Sequence, residues 1–317
     1  MFKVKKNFIL IFLIAISLLL GGCSTSNSAD SNKSSDQKME STKNTTYPLK
    51  IKDSTNRQIT IKDEPKKVVS LAPNVTETIY ALNKQSTLIG RTDYCTYPKE
   101  ALKVPSVGNL TDPDVEKIIQ LKPDLVIASS LTEPASLKKL EQVNLNVLVL
   151  SNVESFENTY NTIKTIGTVL NANQEAYTIV SNMQKKVKDV EAKVKGKSSP
   201  TVYYVVSYGK SGDFTAGKDT FIGKMLEMAG GKNAADDVNG WNYSLEKLVE
   251  KNPDILICSN KFNSKDGIKS AAGYKDLNAV KTNKLFEMDE DIISRQGPRL
   301  ADGLEALAKI IHPEAFK

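Results

Sequence analysis

The chain has 317 residues, 40% of them hydrophobic and 25% charged. This ordinary globular composition excludes a disordered polymer, a collagen and a polytopic membrane protein. The formal charge is +6, but Lys3, Lys5 and Lys6 at the extreme N-terminus supply half of that excess, so the basic balance makes no case for nucleic-acid binding. A single histidine, His312, argues against multi-histidine metal sites and most triad enzymes, and the three cysteines form no repeated pairs.

The N-terminus reads as an address. A basic start precedes an apolar run from Phe8 to Leu20, shorter than the roughly 20 residues a spanning helix needs. The run ends in Leu20-Gly21-Gly22-Cys23, which resembles a bacterial lipobox. That resemblance implies a signal peptide over 1–22 and a mature chain beginning at a lipidated Cys23. Within residues 24–46, seven are Ser, four are Thr, and Ala29 and Met39 are the apolar ones. Such a segment cannot bury enough surface to offset its ordering entropy, so 23–46 is expected to be a lipid anchor and a flexible tether. Lipid, tether and body in that order place the body at the outer face of a membrane.

From Pro65 on, short β-branched runs alternate with helical patterns. Strands are expected at Lys67–Ala72, Thr87–Gly90, Asp124–Ala128 and Val147–Leu150. Helices are expected at Thr76–Leu82, with Asn74 as N-cap, at Val115–Leu121 and at Ser136–Val143. The same grammar returns with strands at Thr201–Ser207, Asp254–Cys258 and Leu285–Met288, and helices at Phe221–Ala229, Leu245–Lys251 and Pro298–Ile311. Alternation of this kind implies parallel sheets covered on both faces. Residues 115–130 (VEKIIQLKPDLVIASS) also align without gaps on 245–260 (LEKLVEKNPDILICSN), with six of sixteen positions identical. The reading is one α/β unit used twice. Between the two copies, Phe156 to Lys195 keeps helical spacing, broken near Asn171-Ala172-Asn173. The fold class is therefore α/β. Two similar lobes, 47–155 and 197–317, each carry a mostly parallel sheet. A long stiff helical region, 156–196, joins them. Ligands of such proteins sit in the crevice between lobes.

The order and spacing of VVSLAPNVTETIYAL, DVEKIIQLKPDLVIASS, FTAGKDTFIGKMLEMAGGKN, YSLEKLVEKNPDILI and ISRQGPRLADGLEALAKIIHPEAF resemble the substrate-binding proteins of ABC importers. The branch is the one whose lobes are joined by a backbone helix and which takes up cobalamin, iron–siderophores or heme. The resemblance implies a monomer that captures a small molecule and docks on a permease dimer served by an ATPase. The lipobox and tether suit a Gram-positive member. Docking in that family uses one Glu per lobe, and the matching positions are Glu116 and Glu246, equivalent in the internal repeat. Within the family the chain most resembles the cobalamin-binding branch. Tyr94, Phe214 and Trp241 match aromatics that cover a corrin ring, and Asp291 and Arg295 match a polar pair that contacts its side chains. Further tryptophans of that pattern, near Gly108–Leu110 and Ser129–Ser130, are missing here, and Trp241 is the one Trp of the chain. The alternative ligand is heme or an anionic ferric siderophore, the latter clamped by Arg91 and Arg295, two of only four arginines.

Cys95 lies in the same Tyr-rich loop as Tyr94 and reads as a small turn residue, although a thiolate there would be able to ligate heme iron or cobalt. Cys258 reads as core. No resident cofactor is expected. A surface enzyme or an adhesin lipoprotein is the competing class, but the chain has no G-x-S-x-G, no H-E-x-x-H and no P-loop.

Overall fold

A computed structural model describes residues 43–151, 153–209 and 212–317. The signal peptide, Cys23 and most of the tether lie outside the described residues. The first element is an antiparallel hairpin of β1 (Leu49–Lys52) and β2 (Gln58–Ile61), with Leu49 opposite Ile61 and Ile51 opposite Ile59. Its alternating polar and apolar residues were not expected to form strands. The chain just before it is not free either. Thr45 donates its N–H to Asn171 Oδ1 at 2.8 Å and its hydroxyl to the Thr168 carbonyl at 2.7 Å. Asn173 Nδ2 donates to the Lys43 carbonyl at 2.8 Å. Polar side chains at a helix junction thus tie residues 43–45 to the folded body.

The N-terminal lobe is built on a four-stranded sheet in the order β4-β3-β5-β6, entirely parallel. These strands are β3 (Val68–Ser70), β4 (Leu88–Arg91), β5 (Leu125–Ser129) and β6 (Val147–Leu150). They are apolar on both faces because helices cover both faces, as βαβ crossovers require. The helices are α1 (Pro73–Ala81), α2 (Val115–Leu121) and α3 (Pro134–Gln142). The N-cap of α1 is Ala72 rather than Asn74. Pro73 can open the helix at no hydrogen-bond cost, which leaves Asn74 inside the first turn and free to reach elsewhere.

Two helices follow, α4 (Phe156–Val169) and α5 (Asn173–Val194). They meet at Asn171, which adopts a left-handed φ of 52°. The 22 residues of α5 make a rod of about 33 Å at 1.5 Å per residue. Its buried stripe is Ala176, Val180, Met183, Val187, Val190 and Val194, alternating steps of four and three that keep one face inward.

The C-terminal lobe repeats the plan. Its strands are β7 (Thr201–Ser207), β8 (Phe214–Thr215), β9 (Lys232–Asn233), β10 (Ile255–Ser259) and β11 (Leu285–Met288). The parallel core runs β11-β10-β7, with short β9 parallel to β7 and β8 antiparallel to its carboxyl end. The helices are α6 (Phe221–Met228), α7 (Leu245–Lys251), α8 (Ser264–Ser270), α9 (Asn278–Lys281), α10 (Asp291–Ser294) and α11 (Leu300–Ile311). Helix α5 packs against both α4 and α11. One hydrophobic core is continuous from Val68 and Leu125 of the first lobe, through Val180 and Met183 of α5, to Tyr204, Ile257 and Leu304 of the second. With no soft layer between them, the lobes are held as packed partners.

The internal repeat extends to cap chemistry. Asp114 and Ser244 cap α2 and α7 by accepting from Lys117 N–H and Lys247 N–H. Both helices end on a left-handed residue, Lys122 at φ 49° and Asn252 at φ 41°. In the Pro-Asp turns that follow, Asp124 accepts from the backbone N–H of Lys66 and Lys67, and Asp254 accepts from the backbone N–H and hydroxyl of Thr201. Each aspartate pins its turn to the start of a neighbouring parallel strand.

Candidate functional site

In open parallel sheets, ligands bind beyond the carboxyl ends of the strands. The first sheet sends such ends to a cleft of about 270 Å³, lined by Pro73 and Asn74 after β3, Leu131 after β5 and Glu154 after β6, and closed from the second lobe by Arg295 and Gln296 after α10. A larger groove of about 450 Å³ runs over α5 and the C-terminal segment. Its cations are engaged: Lys186 pairs with Asp302 and Glu305, and Lys193 lies 4.5 Å from the centre of the Phe316 ring. That groove is remote from the strand ends, so the inter-lobe cleft is the stronger candidate.

Several exposed apolar side chains lie in loops near the carboxyl ends of strands in the two lobes. Tyr94 (52% exposed) follows β4, Trp241 (38%) lies beside β8, and Phe262 (91%) follows β10. Leu131, Val153 and Val206, also at strand ends, are exposed as well.

Phe214 and Trp241 are brought together by backbone. Thr215 N–H donates to the Trp241 carbonyl at 2.8 Å, and Phe214 forms a bridge with Asn242. The Tyr274 hydroxyl fixes the start of this loop by donating to Asp213 at 2.7 Å. Gly212, at φ +90°, must lack a side chain, since a Cβ there would stand 2.9 Å from the Phe214 ring.

Asp291 and Arg295 are one ion pair at 2.9 Å, and Lys261 holds the other oxygen of Asp291 at 2.6 Å. Arg295 also donates to Glu77 at 3.1 Å and to Thr96 at 3.0 Å. The Arg295 guanidinium therefore ties the lobes together at the edge of the cleft, with its charge matched on both sides. Beneath it, Arg299 forks onto Glu77, and Asn74 Nδ2 donates to the Gln296 carbonyl at 3.3 Å. The crossing made by Asn74 is what its displaced capping role leaves it able to do.

Two candidates, Arg91 and Cys95, do not face the cleft. Arg91 is buried and spends its guanidinium on the carbonyls of Ala101 (2.9 Å), Thr92 (2.8 Å) and Leu102 (3.5 Å), so it cannot clamp an anion. Cys95 is fully buried, its sulfur 3.3 Å from the Thr92 hydroxyl, and cannot reach a metal in the cleft. His312 is buried at the end of α11, with Nε2 3.2 Å from the Gly230 carbonyl. Cys258 is buried in the second lobe, where burial pushes its thiol up to about 11. Among the described residues, no group of three or more His, Cys, Asp or Glu is placed to hold a bare metal ion.

Glu116 and Glu246 are both exposed on the first turns of α2 and α7, each followed at the same interval by an exposed apolar residue, Ile119 and Val249. The Ser244 hydroxyl, which donates to Glu246, holds that carboxyl below its usual range.

Sequence reasoning missed Phe262, Leu131, Glu154 and Gln296. The first had a signal: a phenylalanine flanked by polar residues just after a buried strand, like Trp241 between Gly240 and Asn242. The others lie in segments whose meaning depends on the opposite lobe.

Two matched α/β lobes, a shared core, a stiff connecting helix and a cleft at the strand ends define a two-lobed solute-binding protein. The chain belongs to the periplasmic binding protein family, which it matches over residues 68–292. It is 37% identical over 325 residues, covering 99% of each chain, to the uncharacterized ABC transporter substrate-binding lipoprotein YvrC of Bacillus subtilis (strain 168). It is 27% identical over 279 residues to a cobalamin-binding protein of Halobacterium salinarum, covering 84% of this chain and 74% of that one. Among solved structures, a possible iron-binding (periplasmic solute-binding) protein from Staphylococcus epidermidis superposes with a TM-score of 0.68 at 31% identity, covering 78% of this chain and 99% of that one.

Proposed function

We propose that this chain is the substrate-binding lipoprotein of an ABC importer and that it carries a corrinoid. It has no chemistry of its own: it captures the ligand between its lobes and hands it to a permease. The importer role rests on the family and on the full-length likeness to an ABC transporter substrate-binding lipoprotein. Cys23 anchors the mature chain at the outer face of the cytoplasmic membrane, and a monomer seats itself on the permease dimer through Glu116 and Glu246.

The observation that carries the ligand is the aromatic rim. A corrin is a broad apolar disc fringed by amides. Tyr94, Phe214 and Trp241, with Phe262, offer aromatic faces to such a disc, and Asp291 and Arg295 supply polar contacts at its edge. The likeness to a cobalamin-binding protein points the same way. A second reading, a ferric siderophore or heme, is favoured by the likeness to a possible iron-binding protein. With Arg91 engaged, an anionic siderophore would rely on Arg295. With His312 and Cys95 buried, heme iron would rely on a tyrosine such as Tyr94.

The test is a titration of the full chain in mild detergent with cyanocobalamin, hemin and a ferric-siderophore panel, read by Trp241 fluorescence and calorimetry. Saturable one-to-one binding of cyanocobalamin is expected. Saturation by the iron compounds alone would move the ligand to the second reading, and no binding to any of them would sink both.

A further inference from the structure

Glu154 stands on the cleft wall after β6, with its side chain open to the cleft. It forms no ion pair with any described residue, and the crowding of its carboxyl by the surrounding protein raises its pKa above the usual carboxylate value. The other charged lining group is Arg295, and its charge is met by Glu77 and Asp291. The remaining polar lining groups, Asn74, Ser129, Ser294 and Gln296, are neutral. Behind them, Gln296 is more than nine-tenths buried, with its Oε1 bonded to the Thr159 hydroxyl and its Nε2 without a partner. The wider rim is no more welcoming to an anion. Lys261, Arg295 and Arg299 face four carboxylates, Glu77, Asp289, Glu290 and Asp291, one more than they can balance. The uncompensated charge around the cleft is therefore negative, and among the groups that line it that charge is Glu154.

We propose that Glu154 is a specificity-determining residue that makes the cleft accept an amide-fringed macrocycle and reject a carboxylate-fringed one. The inference rests on the tetrapyrrole reading of the site. An amide edge presents N–H groups that a carboxylate accepts from. A carboxylate edge places like charge against like on a wall that Glu154 shares with the apolar side chains of Leu110 and Leu131. Specificity then arises from a repulsive element as much as from an attractive one.

The test uses the full chain and three probes: cobinamide, cobyrinic acid (the same corrin with carboxylates in place of amides) and hemin, each titrated at pH 7.5. The wild-type protein is expected to bind cobinamide at least about tenfold more tightly than cobyrinic acid. Glu154→Gln, which is isosteric and breaks no ion pair, is expected to reduce that ratio to about twofold, mainly by tightening cobyrinic acid, with hemin tightening in parallel. An unchanged melting temperature checks that the variant is folded. A ratio left unchanged by Glu154→Gln overturns the assignment of Glu154, while tight cobinamide binding keeps the corrinoid reading. A wild-type chain that binds hemin and cobyrinic acid as tightly as cobinamide overturns the selection while the importer role stands. A chain that binds none of the three overturns both.

Discussion

Arg299 grips Glu77 across the two lobes, its Nε and Nη2 donating to the two carboxylate oxygens at 2.9 and 2.8 Å. Tyr97 lies against the other side of that guanidinium, its ring centre 3.7 Å away, and Arg295 adds a third bond to Glu77 at 3.1 Å. The Glu77 side chain is 2% exposed. Such a group is weak evidence for net stability against an apolar replacement, but removing one partner strands the others. Glu77→Ala takes the shared buried partner from two guanidinium groups at the lobe junction, leaving Arg295 with Asp291 and Arg299 with only Asp289, 3.6 Å away. It should cost about 3–5 kcal/mol, read from urea unfolding. The exposed pair Lys185–Asp189 on α5 is the control, and its loss should cost less than about 1 kcal/mol. Equal small losses for both would show that the junction tolerates the loss of that shared partner.

The carboxylates proposed for docking make a second, separable prediction. Glu116 and Glu246 project from helices with matching caps and matching exposure. They contribute nothing to the cleft. Changing both to Lys should abolish ligand uptake in cells that depend on this importer, because arginines facing them would meet like charge. Ligand affinity and melting temperature of the purified double variant should stay at the wild-type values. Uptake that survives the double change would remove these residues from the permease contact.

Much of the fold was legible because burial writes itself into the sequence. The expected bounds of Val147–Leu150, Thr201–Ser207, Leu245–Lys251 and Leu285–Met288 coincide with the observed elements, since each is a periodic run closed by turn chemistry. The hairpin at 49–61 was not legible. Its strands are four residues each and half-exposed, so neither periodicity nor β-branching stands out. Of the proposed site, the loop aromatics could be marked in the sequence only through a family resemblance. What could not be read was how each arginine is engaged. Arg91 and Arg295 look alike in sequence, yet one is consumed by backbone carbonyls and the other by Glu77 and Asp291. That distinction depends on contacts between segments up to 218 residues apart.

Acid should loosen the molecule in a definite window. Burial pushes the Asp53 carboxyl up, but hydrogen bonds from Arg57 and Thr55 outweigh it and hold the group below its usual range. Hydrogen bonding from Lys251, assisted by Lys247, holds Asp237 down at about 2. A depressed folded pKa contributes stability that is full above the unfolded value of about 3.9 and is lost as pH falls through the folded value. The urea midpoint should therefore be flat from neutral pH to about 4.5 and fall steeply toward about 2. Asp53→Asn should lower stability at neutral pH and make the acid limb shallower. An acid limb as steep as that of the wild type would assign the loss to other carboxylates.

The aromatic rim gives the most direct prediction. Trp241 is exposed at the loop that pairs with Phe214 through the Thr215 N–H, so its side chain is not needed for folding. Trp241→Ala should weaken cyanocobalamin binding about thirtyfold, the equivalent of the roughly 2 kcal/mol typical of an aromatic anchor. Gly212 tests the same rim without touching a ligand-facing atom. A methyl group there would meet the Phe214 ring at 2.9 Å on a backbone with φ +90°, which displaces the ring or strains the turn. Gly212→Ala and Phe214→Ala should therefore each weaken binding several-fold, and the double variant should be no weaker than Phe214→Ala alone. Affinity unchanged by Gly212→Ala, in a variant whose melting temperature is also unchanged, would mean that the position of Phe214 does not matter to the ligand.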